Sequence, residues 1–354
     1  MPDVFVVAEI GKNFIQTPAD ESVAEYLAKA KALVDAAVAA GVDAVKFQTH
    51  EVEDEQLPLS GIISPHFKDA DRYAWVKRNT LATPLDDFWR PLKDYCESRG
   101  VIFFSTPMSR LAAEKLERLG VSRWKVGSGD ALDFVLLDYL AGTGKPIIIS
   151  TGMVSWVELD RVINYLRSKK VPLTILYCVS EYPCPLEKFN LATIEDLQAK
   201  YPEVSVGFSD HSLDNQTSLA AVKLGATMIE KHFSLSRDFW GSDHRASILS
   251  QEMKSLVETI RSRKYEKIDH RPFYGARGKE LAGATNKFRP FFHRSLVAGA
   301  DLPVGAILTR KLIYSLRPQA HLAGLASDKF EQILGRRLKR SLKKYEPIKE
   351  EDLA

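Results

Sequence analysis

Short apolar segments alternate with amphipathic segments along the first 268 residues of this 354-residue chain. The apolar segments have the length of buried strands, and the segments between them have the periodicity of helices that end at a glycine or a polar turn. The predicted strands are residues 4–8, 43–47, 101–104, 124–126, 146–149, 173–179, 204–208 and 227–229. The predicted helices are 22–40, 84–99, 109–119, a short segment before 146, 156–168, 191–200, 213–224 and 250–263.

This alternation predicts an α/β fold, a (β/α)8 barrel spanning residues 1–268. In such a barrel the active site lies at the carboxyl ends of the strands. A doubly wound open sheet is the alternative, but it places chemistry at one switch point, whereas here polar residues follow every strand. Residues 50–83 are predicted to be a long, functional loop.

The pattern changes after the barrel. Residues 269–286 are rich in Gly, Arg and Lys without periodicity, and we predict a linker there. Residues 287–354, called the tail domain below, contain strand-like pieces at 295–298 and 307–309 and a short helix near 328–334. These features predict a small mixed β domain, which is near the lower size limit for independent stability and is therefore expected to dock on the barrel or on a second subunit.

Composition and charge narrow the class of protein. Hydrophobic residues make up 45% and charged residues 27% of the chain, as in globular domains, and no apolar run is long enough to span a membrane. Three cysteines are too few for a disulfide framework, and the first residues lack the features of a signal peptide, so we expect a cytoplasmic protein. The tail domain carries 14 Lys and Arg against 7 Asp and Glu. That charge could attract an anionic substrate or simply form a solvated basic face.

Two histidines end neighbouring predicted strands. His211 follows strand seven and His232 follows strand eight, with Asp210 and Glu230 beside them. Two imidazoles at one barrel edge could bind a divalent metal such as Mn²⁺ and leave positions open for substrate. The alternative is that both are ordinary hydrogen-bonding histidines.

Two lysines lie near the carboxyl ends of buried strands. Lys46 and Lys125 each need an anion, because an unpaired buried ammonium is costly. The anion could be an internal carboxylate, or the phosphate and carboxylate of a substrate. Hydroxyl groups that could help to hold such a substrate belong to Ser128, Ser150, Thr151 and Ser209.

Three further residues are candidates for a site. Glu9 and Asp243 could act in acid–base chemistry or bind hydroxyls, or could be solvated carboxylates. Tyr182 could pack or donate a hydrogen bond. These residues indicate a barrel enzyme with a metal and an anionic substrate, without specifying the reaction.

Nine motifs in order resemble those of the sialic acid synthase family. They are AEIG (8–11), VKFQTH (45–50), FFSTP (103–107), KVGSGD (125–130), STGM (150–153), CVSEYP (178–183), GFSDHSLDN (207–215), EKHF (230–233) and GSDHRAS (241–247). The tail domain, with HRSLVA at 293–298, resembles that family's C-terminal antifreeze-like (SAF) domain. The resemblance covers essentially the whole chain.

The resemblance implies a reaction and its partners. The family condenses phosphoenolpyruvate with an N-acyl hexosamine and water, releasing phosphate and a nine-carbon 2-keto-3-deoxy acid. It implies a divalent metal, Mn²⁺ or alternatively Mg²⁺ or Co²⁺, and no nucleic-acid partner. It also implies a domain-swapped homodimer in which the SAF domain of one subunit covers the active site of the other.

The motifs also imply roles for individual residues. The metal ligands would be His211 and His232. The catalytic groups would be Glu9, Lys46, Lys125, Glu230 and Asp243. The substrate-binding residues would be Thr106, Ser128, Asp130, Ser150, Thr151, Ser180, Tyr182, Ser209 and Arg294, with Arg294 reaching the acyl group of the sugar from the second subunit.

Two positions depart from the family pattern. Asp130 stands where the family more often has Glu, and Ser180 stands at a position that varies among relatives. The sugar stays open between N-acetylmannosamine, its 6-phosphate and a 2,4-diacetamido-trideoxyhexose. Two alternative functions are a phosphoenolpyruvate aldolase that makes an eight- or seven-carbon acid, and a binding protein with an inactive barrel that uses its basic tail on nucleic acid or a glycan.

Overall fold

A closed ring of parallel strands forms the centre of the protein, whose computed structural model describes residues 4–64, 67–277 and 286–354. The strands are β1 (Phe5–Gly11), β2 (Ala44–Thr49), β3 (Ile102–Pro107), β4 (Trp124–Val126), β5 (Ile147–Ser150), β6 (Leu173–Cys178), β7 (Ser205–Asp210) and β8 (Met228–His232). Their order is β3-β2-β1-β8-β7-β6-β5-β4, so the first strand pairs with the last. Strands β3 and β4, at the two ends of that order, are in contact. The predicted (β/α)8 barrel is confirmed.

Helices alternate with the strands along the chain. They are α1 (Val23–Ala39), α2 (Val52–Glu55), α3 (Arg72–Ala82), α4 (Arg90–Ser98), α5 (Arg110–Leu119), α6 (Phe134–Gly142), α7 (Trp156–Ser168), α8 (Ala192–Lys200), α9 (Gln216–Lys223), α10 (Ser250–Arg261) and α11 (Arg271–Tyr274). Local sequence sets several helix ends: Ser22 and Ser155 form capping boxes at the starts of α1 and α7, and Gly120 ends α5 in a left-handed conformation. Among the described residues, no helix is long and apolar enough to cross a membrane.

The inside of the barrel is apolar at one end and polar at the other. One buried cluster consists of Val7, Ala44, Phe104, Ile148, Leu176 and Met228. Two residues further along the same strands stand Glu9, Lys46, Thr106, Ser150, Cys178 and Glu230. Because alternate residues of a strand face the same side, the apolar layer closes the amino end of the barrel and the polar layer lies above it. The chemistry is therefore confined to the carboxyl end.

The prediction of a loop over residues 50–83 was wrong in part. This region contains α2 and α3, and α3 begins after Asp71, whose side chain accepts a hydrogen bond from the Ala74 N–H. Trp75 and Val76 are buried by packing against the barrel mouth. Charged residues interrupt the apolar pattern of α3, so tertiary contacts rather than its own periodicity stabilise the helix.

The tail domain is small and mixed in structure. A short helix α12 (Arg289–Phe292) precedes strand β9 (Ser295–Ala298), which pairs antiparallel with β10 (Ile313–Leu316), and α13 (Phe330–Ile333) lies in the predicted helical region. The prediction of a strand at 307–309 was wrong, since Ile307 makes only an isolated bridge with Arg337. Within the predicted linker the structure has helix α11, and residues 278–285 lie outside the described residues.

The tail domain lies over the open end of the barrel. Arg289 makes two hydrogen bonds to Glu158 at the start of α7, of 2.9 and 2.7 Å. Arg317, which is fully buried, donates to Glu55 of α2 at 2.6 Å. Both contacts join the tail domain to segments that follow barrel strands, so the tail domain forms part of the roof of the polar end.

Candidate active site

A cleft of roughly 1040 Å³ lies at the carboxyl end of the barrel, beneath the tail domain. Thirteen of the sixteen side chains predicted for the site line it: Glu9, Lys46, Thr106, Lys125, Ser128, Asp130, Ser150, Tyr182, Ser209, His211, Glu230, His232 and Asp243. The other three, Thr151, Ser180 and Arg294, are buried but do not line it. Residues from all parts of the barrel thus meet at one place.

Lys46 lies at the floor of the cleft between two carboxylates. Its Nζ is 2.6 Å from Glu9 Oε2 and 3.7 Å from Glu230 Oε2, and it donates to Thr106 Oγ1 at 3.0 Å. Burial opposes the charged form, but the two carboxylates outweigh it and raise the pKa of Lys46. Lys46 is therefore a fixed positive charge.

Lys125 lies across the same floor. Its Nζ donates to Ser150 Oγ at 2.7 Å and is 3.3 Å from Glu230 Oε1, which also accepts from Ser209 Oγ at 3.2 Å. Burial lowers the pKa of Lys125. The internal ion pairs that the sequence left open are thus present, and both ammonium groups also face the cleft.

Glu9 and Glu230 share Lys46 but differ in their acidity. Burial raises the pKa of Glu9, against the influence of Lys46. Burial has the same tendency at Glu230, but Lys125 and Lys46 outweigh it and lower its pKa to about 2. Two neighbouring carboxyl groups with opposite shifts can serve as an acid and a base. Glu9 is therefore the weaker acid of the two, and Glu230 is ionised at neutral pH.

His211 and His232 face each other, with their ring centres 5.6 Å apart. His211 Nδ1 donates to the Val179 carbonyl at 2.7 Å, which leaves Nε2 as the nitrogen with a lone pair. The Nδ1 of His232 is buried and has no hydrogen-bond partner within the described parts of the chain. Burial lowers the pKa of His211 to about 4 and that of His232 to about 3, so both rings are neutral at pH 7.

Asp210 does not belong to this site, although it precedes His211. Its Oδ2 accepts from Lys231 at 2.7 Å and from Ser218 at 2.6 Å, and both Asp210 and Lys231 are fully buried. Side chains alternate between the faces of a strand, so Asp210 points outward from the barrel where His211 points inward. Asp210 therefore gives no support to a metal site at the two histidines.

A second polar group lies beside the histidines. Lys12 donates to Gln48 Oε1 at 2.6 Å and lies 3.4 Å from Asp243 Oδ2. Gln48 in turn donates to Glu9 Oε1 at 2.8 Å. The Tyr182 ring packs on the His211 ring with centres 4.1 Å apart. This side of the cleft combines an aromatic surface with hydroxyl-binding groups, which suits a sugar.

The small hydroxyl residues Ser128, Thr151 and Ser180 differ in whether they line the cleft. Ser128 Oγ accepts from the Gly152 N–H at 3.1 Å at the edge of the cleft. Thr151 instead donates to the Leu176 carbonyl at 3.3 Å, which ties its side chain to β6. Ser180 is buried, and an added Cβ at Gly152 would lie 2.4 Å from its Oγ. Thr151 thus contacts β6 in this structure, and its predicted role in holding substrate stays a prediction.

Arg294 holds a wall of the cleft rather than lining it. Its Nη2 is 2.8 Å from Asp130 Oδ1 and its Nε is 3.3 Å from Asp133 Oδ2. It also donates to the Ser315 carbonyl at 2.7 Å. These carboxylates and the carbonyl hold its donors in this structure, and the predicted contact of Arg294 with the acyl group of the sugar stays a prediction.

Several residues of the cleft were not assigned a role from the sequence. Gln48 and His50 lie two and four residues beyond Lys46 and also line the cleft, so the two-residue period of β2 could have identified them. Arg72 and Phe292 could not be found that way. Phe292 packs against the guanidinium groups of Arg72 and Arg317, each 5.1 Å from the ring centre, and only the docking of the tail domain brings them together.

Comparison with protein families agrees with this arrangement. Residues 33–269 match the NeuB family and residues 293–354 match the SAF domain. The NeuB match covers most of the barrel, and the SAF match covers most of the tail domain.

Relatives of similar length carry related names. The spore coat polysaccharide biosynthesis protein SpsE of Bacillus subtilis is 32% identical over 93% of this chain and 87% of its own. Its crystal structure superposes with a TM-score of 0.78, at 29% identity over 99% of this chain and 95% of that one. The human N-acetylneuraminate-9-phosphate synthase is 31% identical over 87% of this chain and 82% of its own.

A third relative is the N,N'-diacetyllegionaminic acid synthase of Campylobacter jejuni. It is 30% identical over 91% of this chain and 94% of its own. The barrel, the polar cleft at its carboxyl end and the tail domain above it are therefore parts of one recognised architecture, and the chain is a synthase of the NeuB family that ends in an SAF domain.

Proposed function

We propose that this protein condenses phosphoenolpyruvate with an N-acyl hexosamine and water to form a nine-carbon 2-keto-3-deoxy sugar acid and phosphate. The sugar would be N-acetylmannosamine or a related 2,4-diacetamido-trideoxyhexose. The observation that supports this most is the pair Lys46 and Lys125, buried on one floor of the cleft with Thr106 and Ser150 as their hydroxyl partners. The two lysines form a preorganised anion site, and the same cleft contains the two neutral imidazoles.

A divalent metal, Mn²⁺ or alternatively Mg²⁺ or Co²⁺, fits the two histidines. His232 has an unpartnered buried nitrogen among the described residues, and the hydrogen bond from His211 Nδ1 orients its other nitrogen as a ligand. No three His, Cys, Asp or Glu side chains in residues 4–64, 67–277 and 286–354 form a metal site by themselves. The remaining ligands would then be water and substrate, as in catalytic sites with open positions. Such an ion supplies Lewis-acid polarisation of the aldehyde.

The chain's own groups provide charge and protons. C3 of phosphoenolpyruvate attacks the aldehyde carbon of the open-chain sugar, and we assign the delivery of a proton to the aldehyde oxygen to Glu9, the weaker acid of the two carboxyl groups. Positive charge develops at C2, where water adds, and ionised Glu230 beside the two lysines accepts the proton of that water. The C–O bond between C2 and phosphate then breaks, the C2 hydroxyl becomes the ketone, and the departing phosphate takes the proton of that hydroxyl. Asp243 and Tyr182 would hold the sugar.

The assembly is also part of the proposal. We infer a homodimer in which the tail domain of each subunit covers the cleft of the other. A domain swap exchanges identical elements, so the contacts of Arg294 with Asp130 and of Arg317 with Glu55 would form between subunits unchanged.

The experiment is phosphate release from phosphoenolpyruvate with Mn²⁺ and each of three sugars, with and without EDTA. The sugars are N-acetylmannosamine, its 6-phosphate and a 2,4-diacetamido-trideoxyhexose. We expect metal-dependent release with one of them. Release with arabinose 5-phosphate or erythrose 4-phosphate in preference to every hexosamine would contradict the proposal.

A variant pair checks the anion site in the same assay. Lys125→Met removes a buried charge that would contact phosphoenolpyruvate, and we expect its KM for phosphoenolpyruvate to rise by roughly 10- to 100-fold, as charge-assisted hydrogen bonds imply. Lys188→Met removes an exposed lysine that pairs with Glu181 and should behave like the wild type. Equal KM values for the two variants would refute the role of Lys125.

A further inference from the structure

His50, Glu55 and Arg317 form a buried chain of contacts from the cleft to the tail domain. His50 Nδ1 is 2.7 Å from Glu55 Oε2, and Arg317 Nη2 donates to Glu55 Oε1 at 2.6 Å. The exposed fractions of the residues are 2% for His50 and 0% for Glu55 and Arg317. Each oxygen of one carboxylate therefore has one of these two hydrogen-bond partners, which come from different domains, and Arg72 Nη2 lies 3.7 Å from Oε1.

The contact with Glu55 defines the state of the His50 ring. A carboxylate can only accept, so Nδ1 carries the proton and Nε2 is the acceptor. His50 lines the cleft whereas Glu55 does not, which leaves Nε2 as the nitrogen on the cleft side. Nε2 is buried and has no hydrogen-bond partner in the described residues. A buried acceptor without a partner is costly in a folded protein unless a ligand satisfies it.

The position of His50 directly after β2 indicates which ligand it meets. Lys46, Gln48 and His50 are spaced by two residues and all line the cleft, with Lys46 at its floor. At about 3.3 Å per residue, His50 lies about 13 Å along the chain from Lys46. Its neighbours in the cleft wall include Arg72 and Lys12, whose charges act on it. His50 thus lies near Lys12, which contacts Gln48 and Asp243 on the side of the cleft that suits a sugar.

We propose that His50 Nε2 accepts a hydrogen bond from a hydroxyl of the sugar, and that Glu55 and the tail-domain residue Arg317 position it for this contact. The inference rests on the proposed function and adds a residue that selects the sugar. Burial keeps the ring neutral, since it lowers the pKa of His50 despite the nearby carboxylate. Docking of the tail domain then completes the sugar side of the cleft, because Arg317 balances the charge that orients His50.

The first test compares His50→Leu and His50→Gln with the wild type, varying the sugar and phosphoenolpyruvate separately. We expect His50→Leu to raise the KM for the sugar about tenfold, as loss of one hydrogen bond implies, with the KM for phosphoenolpyruvate unchanged. His50→Gln retains an acceptor oxygen and should restore most of the loss. His321→Leu, at an exposed histidine of the tail domain, is the matched control.

Sugar analogues that each lack one hydroxyl separate binding from a structural effect. One analogue will lack the hydroxyl that His50 binds. For that analogue, the KM of the wild type should rise by the same factor as the KM of His50→Leu for the complete sugar, and the KM of His50→Leu should not rise further. The proposal is overturned if His50→Leu and the wild type have the same KM for the complete sugar. It is also overturned if every analogue raises the KM equally in both proteins. If the wild type releases no phosphate with any hexosamine, the proposed function fails as well, and that result is distinct from the first two.

A double variant tests the positioning residues and removes the opposite charges of Glu55 and Arg317 together. Glu55→Gln with Arg317→Gln keeps a carbonyl acceptor for His50 Nδ1, and its sugar KM should stay within about threefold of the wild type. Glu55→Leu with Arg317→Leu removes that acceptor and should match His50→Leu. Thermal unfolding confirms that each variant is folded. If the two double variants have the same sugar KM, Glu55 does not position His50.

Discussion

At the scale of single residues, the same residue type serves different purposes according to the face on which it lies. Lys46 and Lys231 are both buried and both paired with carboxylates. Lys46 faces the cleft, whereas Lys231 is sealed against Asp210 and Ser212 outside the barrel. The site residues at strand ends could be predicted from the sequence because strand periodicity is local. The partners of Arg294 and Arg317 could not, because they come from distant segments.

Asp54 provides a prediction at this scale. It is buried beside the tail domain, and its Oδ2 accepts from the Leu111 N–H at 2.8 Å. Burial raises its pKa to about 7 from 3.8, against hydrogen bonds from Ser109 and Leu111. The pKa of Asp54 is higher in the folded than in the unfolded protein. Its contribution to stability is therefore fully present below pH 4 and is lost as the pH rises to 7.

Asp54→Asn removes the ionisable group, so this loss of stability with rising pH should disappear. The amide oxygen of the Asn side chain can still accept from the Leu111 N–H. We expect its free energy of unfolding to exceed that of the wild type by an amount that grows from pH 4 to pH 7 and reaches roughly 2 to 4 kcal/mol. Thermal unfolding midpoints between pH 4 and pH 8 measure it. Asp87→Asn, at an exposed position, should follow the wild type, and parallel curves for Asp54→Asn and the wild type would contradict the prediction.

At the scale of elements, the alternation of strands and helices was predictable, and the exceptions have a common cause. Strand and helix patterns of the barrel repeat over many residues, so local sequence specifies them. Helix α3 and strand β10 were missed because their apolar residues pack on neighbours rather than forming a regular stripe. In α3 the buried Trp75 packs on Trp240 of a loop after β8, with ring centres 5.5 Å apart.

Two glycines give a matched prediction for elements. An added Cβ at Gly207 in β7 would lie 2.6 Å from the Met228 carbonyl of the neighbouring strand, which cannot move without breaking the barrel. At Gly142, the last residue of α6, no atom in the described residues lies within 4 Å of an added Cβ. We expect Gly207→Ala to lower the free energy of unfolding by about 2 kcal/mol or more, and Gly142→Ala to raise it by about 0.5 kcal/mol. Urea unfolding measures both, and similar values for the two variants would contradict the steric argument.

At the scale of the whole molecule, charged contacts hold the tail domain on the barrel. Guanidinium groups of Arg289, Arg294 and Arg317 reach carboxylates of Glu158, Asp130 and Glu55, respectively. Arginine suits this role because its planar group makes paired hydrogen bonds with carboxylates. The basic charge of the tail domain therefore serves docking in part, an explanation that its net charge did not suggest.

Acid should weaken this docking through Glu158. Burial disfavours its charged form, but the hydrogen bonds from Arg289 and the Ser155 N–H outweigh it and lower its pKa to about 2 from 4.5. The folded pKa is below the unfolded one, so the contribution is present above pH 4.5 and lost as the pH falls toward 2. Because Glu158 is partly exposed, solvent screens the effect.

Arg289→Gln removes the guanidinium group whose hydrogen bonds help to lower the pKa of Glu158. We expect the unfolding midpoint of the variant to fall less steeply than that of the wild type between pH 4.5 and pH 2.5, as measured by calorimetry. Arg90→Gln, whose pair with Asp86 lies on the barrel surface, should keep the wild-type slope. A wild-type slope in Arg289→Gln would show that Arg289 does not set the pKa of Glu158.

The sequence by itself determined the barrel, the apolar layer that closes one end and the polar residues that end its strands. It could do so because side chains alternate along a strand, so that residues two positions apart share a face whatever the rest of the chain does. Only the tertiary structure decided that Lys231 pairs with Asp210, that Arg294 holds Asp130, and that Arg317 reaches Glu55 behind His50. Those contacts join residues between 21 and 262 positions apart, and they exist only because the strands close into a ring and the tail domain settles on its open end.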